Sequence, residues 1–110
     1  MKLLKYSGKP KRPKLFLRRV VGVSMLPTFR QGQIIVASAN VSDVQVGDIV
    51  MVQHEGLEKI KRVADLRPGG LFLLGDNSAA SSDSRTFGWL DMSALRAKIV
   101  WPHSKAIPVE

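Results

Sequence analysis

One serine of the chain stands where a local fold could present its hydroxyl for chemistry. Ser24 follows an apolar, β-branched run that includes Val20, Val21 and Val23 and is typical of a strand. Pro27, three residues later, cannot donate to a strand ladder and predicts a rigid turn. A serine hydroxyl is a weak nucleophile unless a base lies beside it. The stretch therefore predicts a nucleophile only if the rest of the chain supplies a base.

Three side chains are candidates for that base. His54 and His103 lie far apart with no acid at ligand spacing, which favours a structural role over metal binding, although His54 could act as a base. Lys59 and Lys61 each stand between aliphatic residues. Burial that lowers a lysine pKa from about 10.4 to about 7–8 lets the amine act as a general base near neutral pH. Most strand lysines are solvated, so composition alone does not choose among the three.

The composition describes an ordinary single domain with a basic N-terminal arm. The chain has 110 residues, 45% hydrophobic and 24% charged, with a formal net charge of +8. Residues 1–19 hold eight Lys or Arg and no acid, whereas the rest of the chain is balanced, which argues against a nucleic-acid face spread over the fold. Because there is no cysteine, a disulfide framework, a thiol nucleophile and a zinc–thiolate site are excluded.

The basic arm is expected to be flexible. Residues 1–14 mix basic residues with glycine and proline, and residues 15–110 predict one domain. The arm lacks the apolar run of a secretory signal peptide, and no stretch reaches the ~18–20 apolar residues of a spanning helix. We therefore expect a protein that is cytoplasmic or peripheral to a membrane. Residues 1–19 could contact an anionic membrane surface, at ~1 kcal/mol per basic residue, or form a solvated tail.

Periodicity predicts a mainly β fold with about seven short strands and little helix. The segment 57–66 also fits a helical stripe, but the hairpin turn at Glu55-Gly56 favours a strand. On that strand Lys59, Lys61 and Val63 share one face. The clearest of these strands are expected over 15–23, 34–39, 48–54, 57–66, 71–74 and 97–101, with one helical turn capped by Asp91 and a long polar loop over 75–88.

Three segments, taken in order, resemble the signature boxes of the type I signal peptidases. Residues 22–28 (GVSMLPT) resemble the nucleophile box, and Lys61-Arg62-Val63 resembles the lysine box. The loop over 75–88 contains GDN, then SDSR and a glycine, like the final box. Residues 47–50 (GDIV) resemble the strand that lies between the first two boxes. The resemblance covers roughly residues 20–101, and three boxes in the family's order make it specific.

The resemblance implies a serine endopeptidase with a Ser-Lys dyad and no cofactor or metal. Its fold would be the small, coiled, antiparallel β fold that this family shares with the SOS-response repressor peptidases. Carried over by position, Ser24 is the nucleophile and Lys61 the general base. Lys59 has no counterpart in the family's boxes and is the second choice for the base. The Ser24 backbone N–H is an expected oxyanion donor. Gly22 stands where many members have a serine that supplies a second donor.

The resemblance also assigns roles in the final box. Ser81 or Ser82 would lie near the dyad lysine and orient its amine, with Ser81 in the place of the family serine. The remaining polar residues are expected to hold the loop, through ion pairs of Asp76 and Asp83 with Arg62 and Arg85. This structural set comprises Asp76, Asn77, Asp83, Arg85 and Arg62.

Two departures suggest a narrower relationship. No membrane anchor precedes the nucleophile box, and only residues 64–74 separate the lysine box from the final box. In this the chain resembles the small bacterial maturation proteases encoded beside nickel-type superoxide dismutases, which remove an N-terminal leader from that enzyme. The expected partner is then a protein substrate with a leader or pro-segment. A self-cleaving domain like the SOS repressors, and a non-catalytic module that docks through its basic arm, remain open alternatives.

Overall fold

Short apolar runs separated by turns form seven antiparallel strands in the computed structural model, which describes residues 14–103. The helical content is limited to the four-residue helix α1 (Ser84–Phe87) and two 3₁₀ turns, Ser78–Ala80 and Met92–Ala94. The predicted mainly β fold is thus confirmed. The strands are β1 (Leu15–Arg19), β2 (Ile34–Ser38), β3 (Ile49–His54), β4 (Leu57–Arg67), β5 (Gly70–Leu74), β6 (Leu90–Asp91) and β7 (Leu95–Trp101).

The strands form one curled sheet in the order β1-β2-β7-β3-β4-β5-β6, with β1 and β6 at its edges. β3 and β4 make a tight hairpin, whose turn residues Glu55 and Gly56 have φ values of 53° and 77°. Two successive positive φ angles match the right-handed twist of the strands. The segment that also fitted a helix is therefore a strand, as predicted, and Val50 is paired with Lys61 across the hairpin.

Two buried clusters cover the two faces of the sheet. β3 contributes to both, because Ile49 and Met51 enter one cluster and Val50 and Val52 enter the other. This explains why β3 is a continuous apolar run rather than an alternating one. Each fully buried aliphatic side chain of this kind stabilises the fold by about 1.5–3 kcal/mol. The central strand β3 is therefore packed on both of its faces.

The structure corrects the predicted extent of the first strand. That strand does not reach position 23, since β1 ends at Arg19 and Gly22 has a φ of 87°, which a continuing strand does not allow. Val20 still donates to Gln33 at 2.8 Å, so the chain leaves the sheet just after this residue. Ser24 consequently lies within a loop and not at the end of a strand.

The loop over 75–88 contains α1 and a 3₁₀ turn, and strand β6, which follows it, was not predicted. The helical turn capped by Asp91 is present, with the Asp91 side chain accepting from the Ser93 amide. The prediction for the basic arm falls on residues 1–13, which lie outside the described residues. No helix between residues 14 and 103 has the length and apolar character needed to cross a lipid bilayer.

Candidate active site

Ser24 lies in the loop between β1 and β2, on a turn that two buried side chains anchor. Met25 and Phe29 are 2% and 1% exposed and belong to a core cluster. The Phe29 amide donates to the Met25 carbonyl at 2.9 Å, and the Leu26 amide donates to the Val23 carbonyl at 3.2 Å. These bonds and the buried anchors hold the half-buried serine in a defined position.

Lys61 brings its amine to the serine hydroxyl. It lies in β4, is 5% exposed and shares a face of the strand with Val63. Its Nζ lies 3.1 Å from Ser24 Oγ, within hydrogen-bond distance. As an ammonium the group donates to the hydroxyl oxygen, whereas the neutral amine accepts the hydroxyl proton, which is the arrangement that a general base needs. The structure therefore brings together the two residues that the sequence motifs paired.

Burial lowers the pKa of Lys61 below its ordinary value of 10.5, because loss of water disfavours the charged ammonium. The Asp83 carboxylate acts in the opposite direction and raises this pKa, while the Lys59 ammonium lowers it further. The net effect is a lowered pKa. A larger fraction of Lys61 is therefore neutral at a given pH than of an exposed lysine.

The buried amine of Lys61 also predicts a stability effect that needs no substrate. Between its lowered folded-state pKa and the unfolded value of 10.5, the unfolded chain binds more protons, so stability rises with pH across this window. Lys61→Met removes the buried charge and is expected to raise the free energy of unfolding by about 1 kcal/mol or more near pH 7. The difference in the free energy of unfolding between this variant and the wild type should be smaller at about pH 9.5, as measured by urea unfolding. A methionine variant less stable than the wild type at both pH values would contradict this account.

The other two candidate bases, Lys59 and His54, contact each other and residues outside the Ser24 loop. Lys59 Nζ lies 3.0 Å from His54 Nδ1, 3.7 Å from a Glu55 carboxylate oxygen and 5.1 Å from the centre of the Phe87 ring. The His54 ring packs against the same phenylalanine in a tilted arrangement, with 4.4 Å between the ring centres. Neither Lys59 nor His54 hydrogen-bonds to Ser24 within the described residues. Their contacts tie the β3–β4 hairpin to α1.

Asp76 connects the final box to both other boxes. Arg62, which follows the dyad lysine in sequence, donates two hydrogen bonds to the Asp76 carboxylate, from Nε to Oδ1 at 2.9 Å and from Nη2 to Oδ2 at 2.7 Å. The Thr28 hydroxyl, from the loop that carries Ser24, donates to the same carboxylate. Burial alone would raise the pKa of Asp76, but the hydrogen bonds from Arg62 and Thr28 outweigh it and lower this pKa. Asp76 is therefore ionised at neutral pH and joins the loop to β4.

Asn77 and Gly75 contact the backbone of the serine loop. The Asn77 amide donates to the Ser24 carbonyl at 2.8 Å, and its side-chain Nδ2 donates to the Val23 carbonyl at 3.0 Å. A Cβ at Gly75 would lie 2.8 Å from that Ser24 carbonyl oxygen and 2.1 Å from Ser81 Oγ, so only glycine fits. The sequence motif contains both residues but gives no sign of these contacts with the serine loop.

Asp83 is a fully buried carboxylate in the loop beside the dyad. It accepts four hydrogen bonds: from the Gly75 amide at 2.9 Å, from the Arg85 amide at 3.1 Å, and from Arg85 Nε and Nη2 at 3.0 and 2.7 Å. The guanidinium of Arg85, together with these amides, lowers the pKa of Asp83 far below its ordinary value. Asp83 also caps the N-terminus of α1. Both ion pairs that the resemblance implied, Arg62–Asp76 and Arg85–Asp83, are thus present in the structure.

The serines of the final box differ in their surroundings. Ser82 is exposed, whereas Ser81 Oγ is buried against Gly75 and has no hydrogen-bond partner in residues 14–103. The Ser81 hydroxyl is close enough to Asp83 to help keep that carboxylate ionised, but it lies outside hydrogen-bond geometry. No hydrogen bond joins either serine to Lys61 in this part of the chain. Gly22, the predicted oxyanion position without a side-chain donor, is half-buried with its positive φ.

A cleft of about 310 Å³ contains the Ser24–Lys61 pair. β1 is an edge strand, and over residues 57–61 the described chain pairs β4 only with β3, because pairing with β5 begins at Arg62. Two strand edges with unpaired backbone groups therefore border the cleft. Its lining comprises Arg18, Arg19, Val20, Val21, Ser24, Met25, Glu58, Lys59, Ile60 and Lys61.

The sequence matches a known protein family. The family model described as Peptidase S24-like matches residues 3–89, which is most of the chain. No curated protein matches the sequence. Within residues 14–103, no group of three or more His, Cys, Asp or Glu side chains stands together as a metal site.

Proposed function

The chain belongs to the Peptidase S24-like family, and from this we propose that it is a serine endopeptidase in which Ser24 is the nucleophile and Lys61 the general base. One observation carries the assignment: the 3.1 Å contact between Lys61 Nζ and Ser24 Oγ, made by a lysine that is 5% exposed. A nucleophile within hydrogen-bond reach of a base with a lowered pKa is the arrangement that activates a hydroxyl.

The reaction begins with proton transfer inside the pair. Ser24 Oγ bonds to the scissile carbonyl carbon while its proton passes to the neutral Lys61 amine. The resulting ammonium gives this proton to the leaving nitrogen as the carbon–nitrogen bond breaks, which leaves an ester on Ser24. A water molecule then attacks the ester while Lys61 takes a proton from this water. Lys61 returns the proton to the Ser24 oxygen as the ester bond breaks.

The negative charge that develops on the carbonyl oxygen needs donors. We assign the Ser24 backbone N–H this role, for which a single donor is worth about 2.7–4 kcal/mol of transition-state stabilisation. Asn77 supports the assignment, because its two hydrogen bonds to the carbonyls of Val23 and Ser24 fix the orientation of the peptide groups around the nucleophile. Gly22 supplies no side-chain donor, so a second donor at this position would have to be a backbone N–H.

The two strand edges beside the cleft favour an extended peptide as the substrate. A segment without secondary structure can hydrogen-bond to the outer edge of β1 and to the open edge of β4 over residues 57–61. This binding mode suits a leader or pro-segment at the terminus of a protein substrate. The nickel-type superoxide dismutase precursor is the specific candidate, supported by the similarity of the final box, including Phe87. Peripheral membrane contact through residues 1–19 stays a prediction.

Cleavage of peptides as a function of pH tests this proposal. The rate is expected to rise with pH as Lys61 loses its proton and to level off below the ordinary lysine value of about 10.4, because burial lowers this pKa. Wild-type protein would be incubated with a randomised decapeptide mixture and with a leader-bearing precursor, and products followed by mass spectrometry. A flat profile from about pH 6 to about pH 10 would contradict a lysine base.

The same incubation separates the alternatives. A self-cleaving domain would shorten its own chain at high pH and leave the added peptides intact. A non-catalytic module would change neither. Intact-mass measurement of the protein itself, made beside the peptide analysis, therefore distinguishes the three functions.

A further inference from the structure

An ion pair bridges the two walls of the cleft. Arg18, in β1, donates from Nε to Glu58 Oε1 at 2.9 Å and from Nη2 to Glu58 Oε2 at 3.1 Å. Glu58 lies in β4, and these strands are not neighbours in the sheet. The two side chains are 43% and 42% exposed, so the pair lies at the open side of the cleft. A substrate segment that lies between the two edges must meet this pair.

Along each wall of the cleft, the ion pair lies two residues before an apolar side chain. Side chains two residues apart on extended chain share a face and are about 6.6–6.8 Å apart. On one wall Arg18 is followed at this spacing by Val20, which is 5% exposed. On the other wall Glu58 is followed by Ile60, which packs against the core. An extended peptide therefore presents one side chain to the apolar pair near Ser24 and the next on the same face to Arg18 and Glu58.

The two members of the ion pair are not held equally. Arg18 also donates from Nη1 to the Leu17 carbonyl at 3.0 Å and stacks over the Phe16 ring at 4.7 Å. Within residues 14–103 the Glu58 carboxylate accepts hydrogen bonds from Arg18 alone. The glutamate is already half exposed, so moving it into water removes little favourable burial. Of the two members, Glu58 is therefore the one that a competing carboxylate would displace.

We propose that Glu58 occupies, in the free protein, the place of a substrate carboxylate, and that Arg18 selects peptides with Asp or Glu two residues from the side chain that contacts Val20. This inference rests on the proposed peptidase function and adds a specificity to it. The charge of the cleft supports this selectivity, because Glu58 is the only acid among the lining residues, whereas Arg18, Arg19 and Lys59 are basic in addition to the dyad lysine. An acidic side chain thus gains a bidentate guanidinium partner in cationic surroundings.

Cleavage-site profiling of a randomised decapeptide mixture tests the inference. The wild type is expected to enrich Asp and Glu at one fixed position about three- to tenfold, the range for a partly exposed bidentate pair. Arg18→Gln should abolish this enrichment, and Arg18→Glu should replace it with enrichment of Lys and Arg. Arg96→Gln is the matched control, because Arg96 is an exposed arginine of β7 that does not line the cleft. It should retain the wild-type profile.

Affinity selection of the same mixture on Ser24→Ala protein separates failure of the inference from failure of the function. Cleavage without acidic enrichment, or with the same profile in Arg18→Gln, would overturn the inference and leave the peptidase function standing. The wild type could instead cleave nothing, while the Ser24→Ala protein retains peptides enriched in Asp and Glu and loses this enrichment when Arg18→Gln is added. That result would support the acidic site and overturn the peptidase function. No cleavage and no acidic enrichment would overturn both.

Discussion

Ser24→Ala is expected to lower peptide cleavage by at least about 10³-fold, because no other group is positioned to form the covalent intermediate. Lys61→Met should cause a loss of similar size, since the serine hydroxyl then has no base at 3.1 Å. The double variant should be no worse than either single variant, because the two residues act as one unit. Initial rates on the peptide mixture, with melting temperatures recorded beside them, measure the effect.

Ser42→Ala is the control for this pair of variants. Ser42 is an exposed serine whose hydroxyl donates to Asn40 at 2.8 Å, in the connection between β2 and β3. Its replacement should leave the cleavage rate unchanged. The dyad assignment would be wrong if Ser24→Ala cleaved peptides at the wild-type rate. It would also be wrong if the losses of rate in the two single variants added up in the double variant.

The second large effect is expected on stability, at Asp83. Asp83→Asn should lower the free energy of unfolding by about 3 kcal/mol, because the amide places an N–H₂ group among four donors and leaves Arg85 without a charged partner. For a domain of this size the melting temperature should fall by more than about 10 °C. Thermal unfolding followed by circular dichroism gives the measurement. An unchanged midpoint would contradict the structural role.

The pH dependence of this loss has a defined sign. The folded-state pKa of Asp83 is lowered, so its contribution is complete above the unfolded value of 3.8 and is lost as pH falls below it. The difference between wild type and Asp83→Asn should therefore narrow in acid. Asp91→Asn is a matched control, since Asp91 also caps a helical turn but is exposed, and its loss should be far smaller.

The sequence was sufficient for the existence of every strand except the two-residue β6, and for the proximity of Ser24 to Lys61. β3 begins with a continuous apolar run and β7 alternates buried with more exposed positions, so both have a strand pattern, and the order of three motifs specified the pair. The end of β1 was predicted wrongly, because Val21 and Val23 have strong strand propensity, and the deciding feature is the positive φ of Gly22. Strand propensity is a property of single residues, so it does not indicate where a neighbouring glycine directs the chain out of the sheet.

Contacts between distant segments could not be predicted from the sequence. Asn77 reaches the serine loop, and Arg18 meets Glu58, only because the sheet curls until its first strand approaches its fifth in spatial order. Pairing from sequence patterns gives neighbours within a sheet but not the curvature that closes it. The short helix α1 was missed for a related reason, since its four residues are held by the Asp83 cap and not by helical periodicity.

The two unpaired strand edges beside the cleft have a consequence for the protein's own solubility. An open edge is a template on which a second copy of the chain can add a strand, and proteins commonly protect such edges with charged residues. The edge segments here contain Arg18 and Arg19 on β1 and Glu58 and Lys59 on β4, among exposed apolar residues such as Leu17. Like charges on two approaching β1 edges repel each other. The residues that favour an acidic peptide therefore also disfavour edge-to-edge aggregation.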